Sequence, residues 1–309
     1  MVDLASHPAT WTAAQIGERS DGWQHPFGAL DPDEVRGLLE NGPGVVLLRG
    51  FPLDGHDKDS ARDAFLAWCG SVGTAVSQNE RGTLVFDVED AGLPEGDPRN
   101  RGPNTKKKLS FHTDRCDVIA FLCWRQARSG GENEIVSSQA LYQKVGEERP
   151  DLLAELESPF PYKRHTVDLG NEKPWCEQPV FSFREGRFAC SFLRVLIDRA
   201  HADPDLPNLS STQVEAMDFL ESVAARDEFV YRFRQEPGDV LLLNNWVTLH
   251  RRTAFEDHPG PDDRRCLFRI WLSVPDSRPL DPLFAANFGS VEPGAIRGGM
   301  KPSTPPASP

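Results

Sequence analysis

Apolar residues fall in short runs broken by polar and turn-forming stretches, a spacing that favours strands over long helices. Runs rich in β-branched and aromatic residues predict strands over Gly44–Gly50, Thr83–Glu89, Ala120–Ala127, Glu134–Ser138, Asp239–Asn245 and Cys266–Val274. Phe229–Gln235 alternates between apolar and polar residues, the period of a strand with one buried face. Val180–Arg194 reads as a hairpin turning at Glu185-Gly186. Helical spacing is confined to three segments: Ser60–Gly73, with Ser60 as its N-cap, Ser138–Glu148, and Ser211–Ala225.

Many short, antiparallel-looking strands with a few flanking helices predict an α+β, mainly β fold. The expected core is a double-stranded β-helix, or jelly roll, decorated by helices. A doubly wound α/β sheet would need regular strand–helix alternation and a Gly-rich first turn, and the sequence has neither. No internal repeat is evident. The expected organisation is an irregular N-terminal segment over 1–25, one jelly-roll domain over 26–290, and a disordered tail over 291–309. The stretch GGMKPSTPPASP from Gly298 carries the tail expectation.

The 309 residues carry a net charge of −13, which disfavours nucleic acid and acidic membrane surfaces as partners and leaves a small molecule. No apolar run approaches the ~18 residues of a membrane span. The first 17 residues lack the basic start and apolar run of a secretory signal. Six cysteines without CxxC spacing read as reduced thiols, and the expected location is the cytoplasm. The sequence does not give the oligomeric state. One departure from the acidic balance stands out: Arg251, Arg252, Arg264, Arg265 and Arg269 crowd a single late segment, as for a small anionic ligand.

The sharpest local feature is LSFHTDRCD, Leu109–Asp117. On an extended segment His112 and Asp114 point to the same side, so an imidazole and a carboxylate reach one ion together. His250, within NNWVTLHRRT, offers a third ligand. Two histidines and a carboxylate on one face of a metal leave three positions open, the facial triad of non-heme iron(II) oxygenases. A lone HxD arises often by chance; RRCLFR (Arg264–Arg269) is what raises its meaning. As a strand, this segment sets Arg265, Leu267, Arg269 and Trp271 on one face. A buried guanidinium needs an anion, and its fork matches a carboxylate. A dicarboxylate that chelates the metal at one end and meets arginine at the other would supply it.

The ordered set HTD (His112–Asp114), GGE (Gly130–Glu132), NNWVTLHRRTAFED (Asn244–Asp257) and RRCLFRIWLS (Arg264–Ser273) resembles the TauD/TfdA family of iron(II)/2-oxoglutarate dioxygenases, within the clavaminate-synthase-like group. The resemblance spans roughly residues 44–288. It implies Fe(II), 2-oxoglutarate and dioxygen as cofactor and co-substrates, with His112, Asp114 and His250 as metal ligands. It makes Arg265 the anchor of the distal 2-oxoglutarate carboxylate. Arg269 helps that anchor or holds a substrate anion. Asn133 stands where relatives place a threonine that touches the co-substrate. Leu109 and Ser110, leading into the ligands, are expected at the substrate, and the Ser77–Asp90 segment near it. Arg99–Lys108 reads as a lid or as a solvated loop. Asn244 and Asn245 are expected to satisfy backbone groups or orient a ligand, and Cys116 to pack as a thiol.

The implied reaction is hydroxylation of an unactivated C–H bond in a small substrate, an amino acid or natural-product intermediate. Desaturation or cyclisation would begin from the same hydrogen abstraction. The presence of Asp114 disfavours halogenation, since halogenating relatives lack the carboxylate ligand. Two rivals are a non-catalytic binding protein on the same scaffold and a zinc hydrolase using the same three ligands. The hydrolase has no need of a buried arginine pair, and the binding protein would consume no 2-oxoglutarate.

Overall fold

The computed structural model describes residues 4–93, 102–164 and 173–301. His165, the first three residues of the Arg99–Lys108 loop and the chain beyond Lys301 lie outside the described residues. In chain order the strands are β1 (Gln24–Pro26), β2 (Val45–Arg49), β3 (Thr74–Val76), β4 (Val85–Val88), β5 (Val118–Arg125), β6 (Ser129–Gly130), β7 (Asn133–Ser137) and β8 (Phe160–Lys163). They continue with β9 (Trp175–Gln178), β10 (Phe181–Arg184), β11 (Arg187–Cys190), β12 (Tyr231–Phe233), β13 (Val240–Asn244), β14 (Thr248–Arg252), β15 (Phe255–Glu256) and β16 (Cys266–Ser273). The helices are α1 (Ala13–Glu18), α2 (Pro32–Glu40), α3 (Lys58–Val72), α4 (Ser138–Glu148), α5 (Pro150–Leu156), α6 (Arg194–His201), α7 (Ser211–Ala224) and α8 (Ala285–Phe288).

The mixed, strand-rich architecture expected from the sequence is present. A seven-stranded sheet runs β1-β2-β13-β5-β16-β3, with β4 also on β16, and only the β1–β2 pair is parallel. A three-stranded antiparallel sheet runs β12-β7-β14. Central strands read as near-continuous apolar runs because both their faces are buried. Val118, Ala120 and Leu122 of β5 pack outward with Val240, Leu242, Phe268 and Ile270 against α2 and α3. Ile119, Leu241, Leu243 and Trp271 turn inward, where they meet Ile135 of β7 and the partly buried Tyr231 and Phe233 of β12. The outer face of the small sheet, Val136 and Leu249, packs on α4, α5 and α7. Two sheets thus share an inner core, and each carries helices on its far side.

Local chemistry sets the element ends. The α3 N-cap is Asp57, one turn before the expected Ser60; Ser60 is the reciprocal partner of its capping box. Ala61, Phe65, Cys69 and Val72 form the buried stripe of α3 on the large sheet. The β10–β11 turn falls where expected, with Glu185 and Gly186 both at positive φ, as a two-residue hairpin turn requires.

Three further expectations need correction. Eight α-helices are present among the described residues against three predicted. The additional ones are short, and α2 and α5 open with a proline that a periodicity scan reads as a break. Residues 4–25 are not irregular throughout: α1 and a 3-10 turn are held down by buried Trp11, Ile16 and Trp23. Residues 291–301 are not a disordered tail. Arg297 is buried and donates from Nε to Asp117 Oδ1 at 2.6 Å, and the Gly299 and Met300 amides bond the carbonyls of Arg115 and Ser77. Glycine and proline in this stretch serve close backbone approach; a Cβ on Gly298 would lie 2.6 Å from the Arg115 carbonyl oxygen. The six cysteines are all buried, with no disulfide among the described residues. Among the described residues, no helix is long and apolar enough to cross a membrane.

Asp117 also accepts from Trp246 Nε1 and the Val274 amide, so removing its cation leaves a buried, partly satisfied carboxylate. Arg297→Ala should therefore cost about 3 kcal/mol of unfolding free energy in a denaturant titration; a disordered tail would show no loss.

A candidate metal centre and its buried arginines

His112 and His250 exchange backbone hydrogen bonds, His112 N to His250 O at 3.0 Å and His250 N to His112 O at 3.1 Å. This isolated bridge lies on the edge of β14 opposite β7. It sets the two imidazole rings 4.5 Å apart between centroids. Asp114 is not on a strand, but the turn after His112 brings its carboxylate to the same point. Potential ligand atoms of His112, Asp114 and His250 all lie within 4.8 Å of one another. Asp114 Oδ2 is 3.8 Å from His250 Nε2.

The surroundings prepare both rings to bind a cation. His112 Nδ1 is 2.9 Å from the Ser110 carbonyl oxygen, which takes the Nδ1 proton and leaves Nε2 as an electron-pair donor. Burial holds the His250 pKa down to about 3; His112 and Arg269 push the same way, against Asp114. It is a neutral imidazole at any physiological pH. Asn245 Oδ1 accepts the Asp114 amide at 3.0 Å, while its Nδ2 donates to Cys116 Sγ at 3.0 Å. This bears out packing for the thiol and an orienting contact for the amide. Asn244 serves the other expected purpose, donating to the Leu39 carbonyl and to Glu40.

The two expected arginines sit on the inner face of β16 and its entry. Arg269 is close to the cluster of His112, Asp114 and His250: Nη1 lies 3.4 Å from Asp114 Oδ2, Nε donates to Gln78 Oε1 at 2.7 Å, and the guanidinium lies over Phe86 and Trp271. The Ser77–Asp90 segment therefore reaches the site through Gln78 and Phe86. Arg265 is four residues along, about 13 Å at ~3.3 Å per strand residue. It is 2% exposed, and its Nε and Nη1 are buried with no hydrogen-bond partner. Burial drives its pKa down to about 10, still charged at neutral pH.

Gly131 makes room for Arg265. It sits at φ +73°, and a Cβ there would lie 3.0 Å from Arg265 Nε. The neighbouring Gly130 passes the backbone more closely still, a Cβ there lying 2.1 Å from the Ala254 carbonyl oxygen. Asn133 Nδ2 donates to Gln235 Oε1 at 3.1 Å. Leu109 and Ser110 lie beside His112, with Leu109 N bonded to the Arg252 carbonyl, but neither lines the cleft that reaches Asp114. That cleft is walled by Tyr162, Leu193, Trp271, Phe288 and Met300 among others. The sequence had set Trp271 on the inner face; Tyr162, Leu193, Phe288 and Met300 escaped because they come from elements distant in the chain and carry no motif.

The described part of the expected lid is tied down. Arg252 Nη2 donates to the carbonyls of Thr105 and Lys107. A second cluster of possible ligands, Asp87, Glu89 and Cys266, already has Lys58 and Arg62 on its carboxylates and reads as an ion-pair network.

The family model described as taurine catabolism dioxygenase TauD, TfdA family matches residues 11–271. Over 247 residues the chain is 31% identical to the FR-33289 synthase of Streptomyces rubellomurinus, covering 78% of this chain and 72% of that protein. Among solved structures, asparagine oxygenase in complex with Fe(II), a 3-hydroxyasparagine and succinate superposes with a TM-score of 0.60 at 20% identity, covering 78% of each chain. The non-heme iron oxygenase OrfP in complex with Fe and alpha-ketoglutaric acid gives 0.56 at 16% identity over 80% of each chain. At such identities the two structures show a shared fold.

Gly131→Ala should lower the melting temperature, with a cost of roughly 1–3 kcal/mol for a side chain held at positive φ. An unchanged melting temperature would show that Arg265 and the backbone are not packed against each other as described.

Proposed function

The chain belongs to the TauD/TfdA family of iron(II)- and 2-oxoglutarate-dependent dioxygenases, and from that membership we propose that it hydroxylates an unactivated C–H bond of a small substrate, an amino acid or a natural-product intermediate. Its paired sheets are those of a double-stranded β-helix, the reading supported by the superposition on asparagine oxygenase and OrfP. His112, Asp114 and His250 are the iron ligands. Two imidazoles and a carboxylate with room beside them fit iron(II) and leave positions for a chelating oxoacid and dioxygen. When bound, iron and 2-oxoglutarate supply the oxidising chemistry with dioxygen; the protein positions, orients and excludes water.

The observation that carries this reading is Arg265, a guanidinium buried on the ligand-bearing face with two unpartnered nitrogens. No hydrolase or bare metal site needs one there, and a distal carboxylate satisfies it. Arg269, beside Asp114, holds anionic charge close to the metal: the near carboxylate of the co-substrate or an acid group of the substrate. The substrate enters by the cleft at Asp114, where Trp271, Phe288 and Met300 keep water from the reacting carbon. Asparagine oxygenase and OrfP, with hydroxylated amino acids in their complexes, support a substrate of that size.

Anaerobic addition of Fe(II) and 2-oxoglutarate should produce the weak visible charge-transfer band of the chelate. Folded, iron-loaded protein without that band would overturn the co-substrate assignment. Asp114→Ala should abolish the band and turnover while leaving the fold intact by circular dichroism. Arg265→Met should raise the 2-oxoglutarate concentration needed for half-saturation by about 10- to 100-fold, the range for losing one charged hydrogen-bonding partner.

A further inference from the structure

We propose that Arg252 is a second cation of the co-substrate site and shares the distal carboxylate of 2-oxoglutarate with Arg265. The inference rests on the iron(II)/2-oxoglutarate reading and adds a binding residue to it.

Position is the first argument. Arg252 lies two residues beyond His250 on β14, so both side chains face inward. Its cross-strand partner on β7 is Asn133, the position at which the sequence led us to expect a co-substrate contact. Directly opposed residues have Cβ atoms about 5 Å apart on the same face. Asn133 directs its amide to Gln235 instead. Arg252, beside it, has a buried Nε–H without a hydrogen-bond partner.

The second argument is the charge left over. Arg252 is 6% exposed, and its Nε is buried without a hydrogen-bond partner, like Nε and Nη1 of Arg265. Both guanidinium groups lie against Phe255, at 4.5 and 5.1 Å from its ring centroid. Among the described residues neither forms an ion pair. Two like charges packed against one ring repel each other. Two repelling cations in an interior, with three unpartnered nitrogens around one ring, are costly unless an anion sits between them. A carboxylate has two oxygens and about four acceptor positions, enough for both arginines.

A purely structural role for Arg252 is the competing account, because its Nη2 holds the loop at Thr105 and Lys107. The two accounts separate by comparing oxoacids. Iron-loaded protein is titrated anaerobically with 2-oxoglutarate and with 2-oxopentanoate, which chelates the metal but has no distal carboxylate, following the charge-transfer band. Wild type should prefer 2-oxoglutarate. Arg252→Met should lose about 10- to 100-fold in affinity for 2-oxoglutarate while its affinity for 2-oxopentanoate stays within about threefold. Arg252→Lys, which keeps the charge but not the fork, should show a smaller loss with the same selectivity; it decides the matter if the methionine variant unfolds. Equal losses for both acids, or none for either, overturn the proposal in favour of loop anchoring. A wild type that binds both acids equally also overturns it. A wild type giving no band with either acid overturns the iron(II)/2-oxoglutarate reading, and this inference with it.

Discussion

His112 gives its backbone N–H to His250 and takes the N–H of His250 in return, and this exchange fixes where everything else in the site must stand. Antiparallel pairing has a side-chain period of two, so slipping β14 by one residue would turn His250 outward and bring Arg251 in. The register is locked from the other face. Glu134, fully buried on β7, accepts from both Arg251 and Arg232, its neighbours on the flanking strands. Burial alone would raise the Glu134 pKa; the two arginines outweigh it and hold it below the usual carboxylate value. One acidic residue on the outer face of the small sheet thus keeps a histidine on the inner one.

β16 applies the same period to charge. Phe268, Ile270 and Leu272 face α3, while Arg265, Leu267, Arg269 and Trp271 face the interior, so a strand with no exposed residue still separates apolar from cationic positions. Spacing along that face gives the two arginines different partners. Arg269 is held by Gln78 and Asp114 near the ligands; Arg265 is held by geometry alone, through Gly131 and Phe255.

Much of this was legible in the sequence because it is local and periodic. β2, β5, β7, β13 and β16 fell within a residue or two of expectation, since apolar runs of that length have few other uses. The cluster of His112, Asp114 and His250 was legible because HxD and a distant histidine are chemically narrow. What escaped depends on contacts the chain order does not reveal. α2 and α5 were hidden by the prolines that start them. The 291–301 segment was misread because Gly298 and Gly299, which permit close packing on Arg115 and Val76, also look like linker composition. The bond from Asn133 to Gln235 was not legible either, because its partner lies far along the chain.

The cleft at Asp114 has a mixed ancestry. Its floor at Thr113, Asp114 and Trp271 belongs to the region matched by the family model, which stops at residue 271; Asn287, Phe288 and Met300 on the wall lie past that limit. The wall is fastened by Arg297 to Asp117, three residues from Asp114, yet adds no side chain to the cluster of His112, Asp114 and His250. Rewriting the last few dozen residues would therefore reshape one side of the cleft while leaving that cluster and the β16 arginines in place.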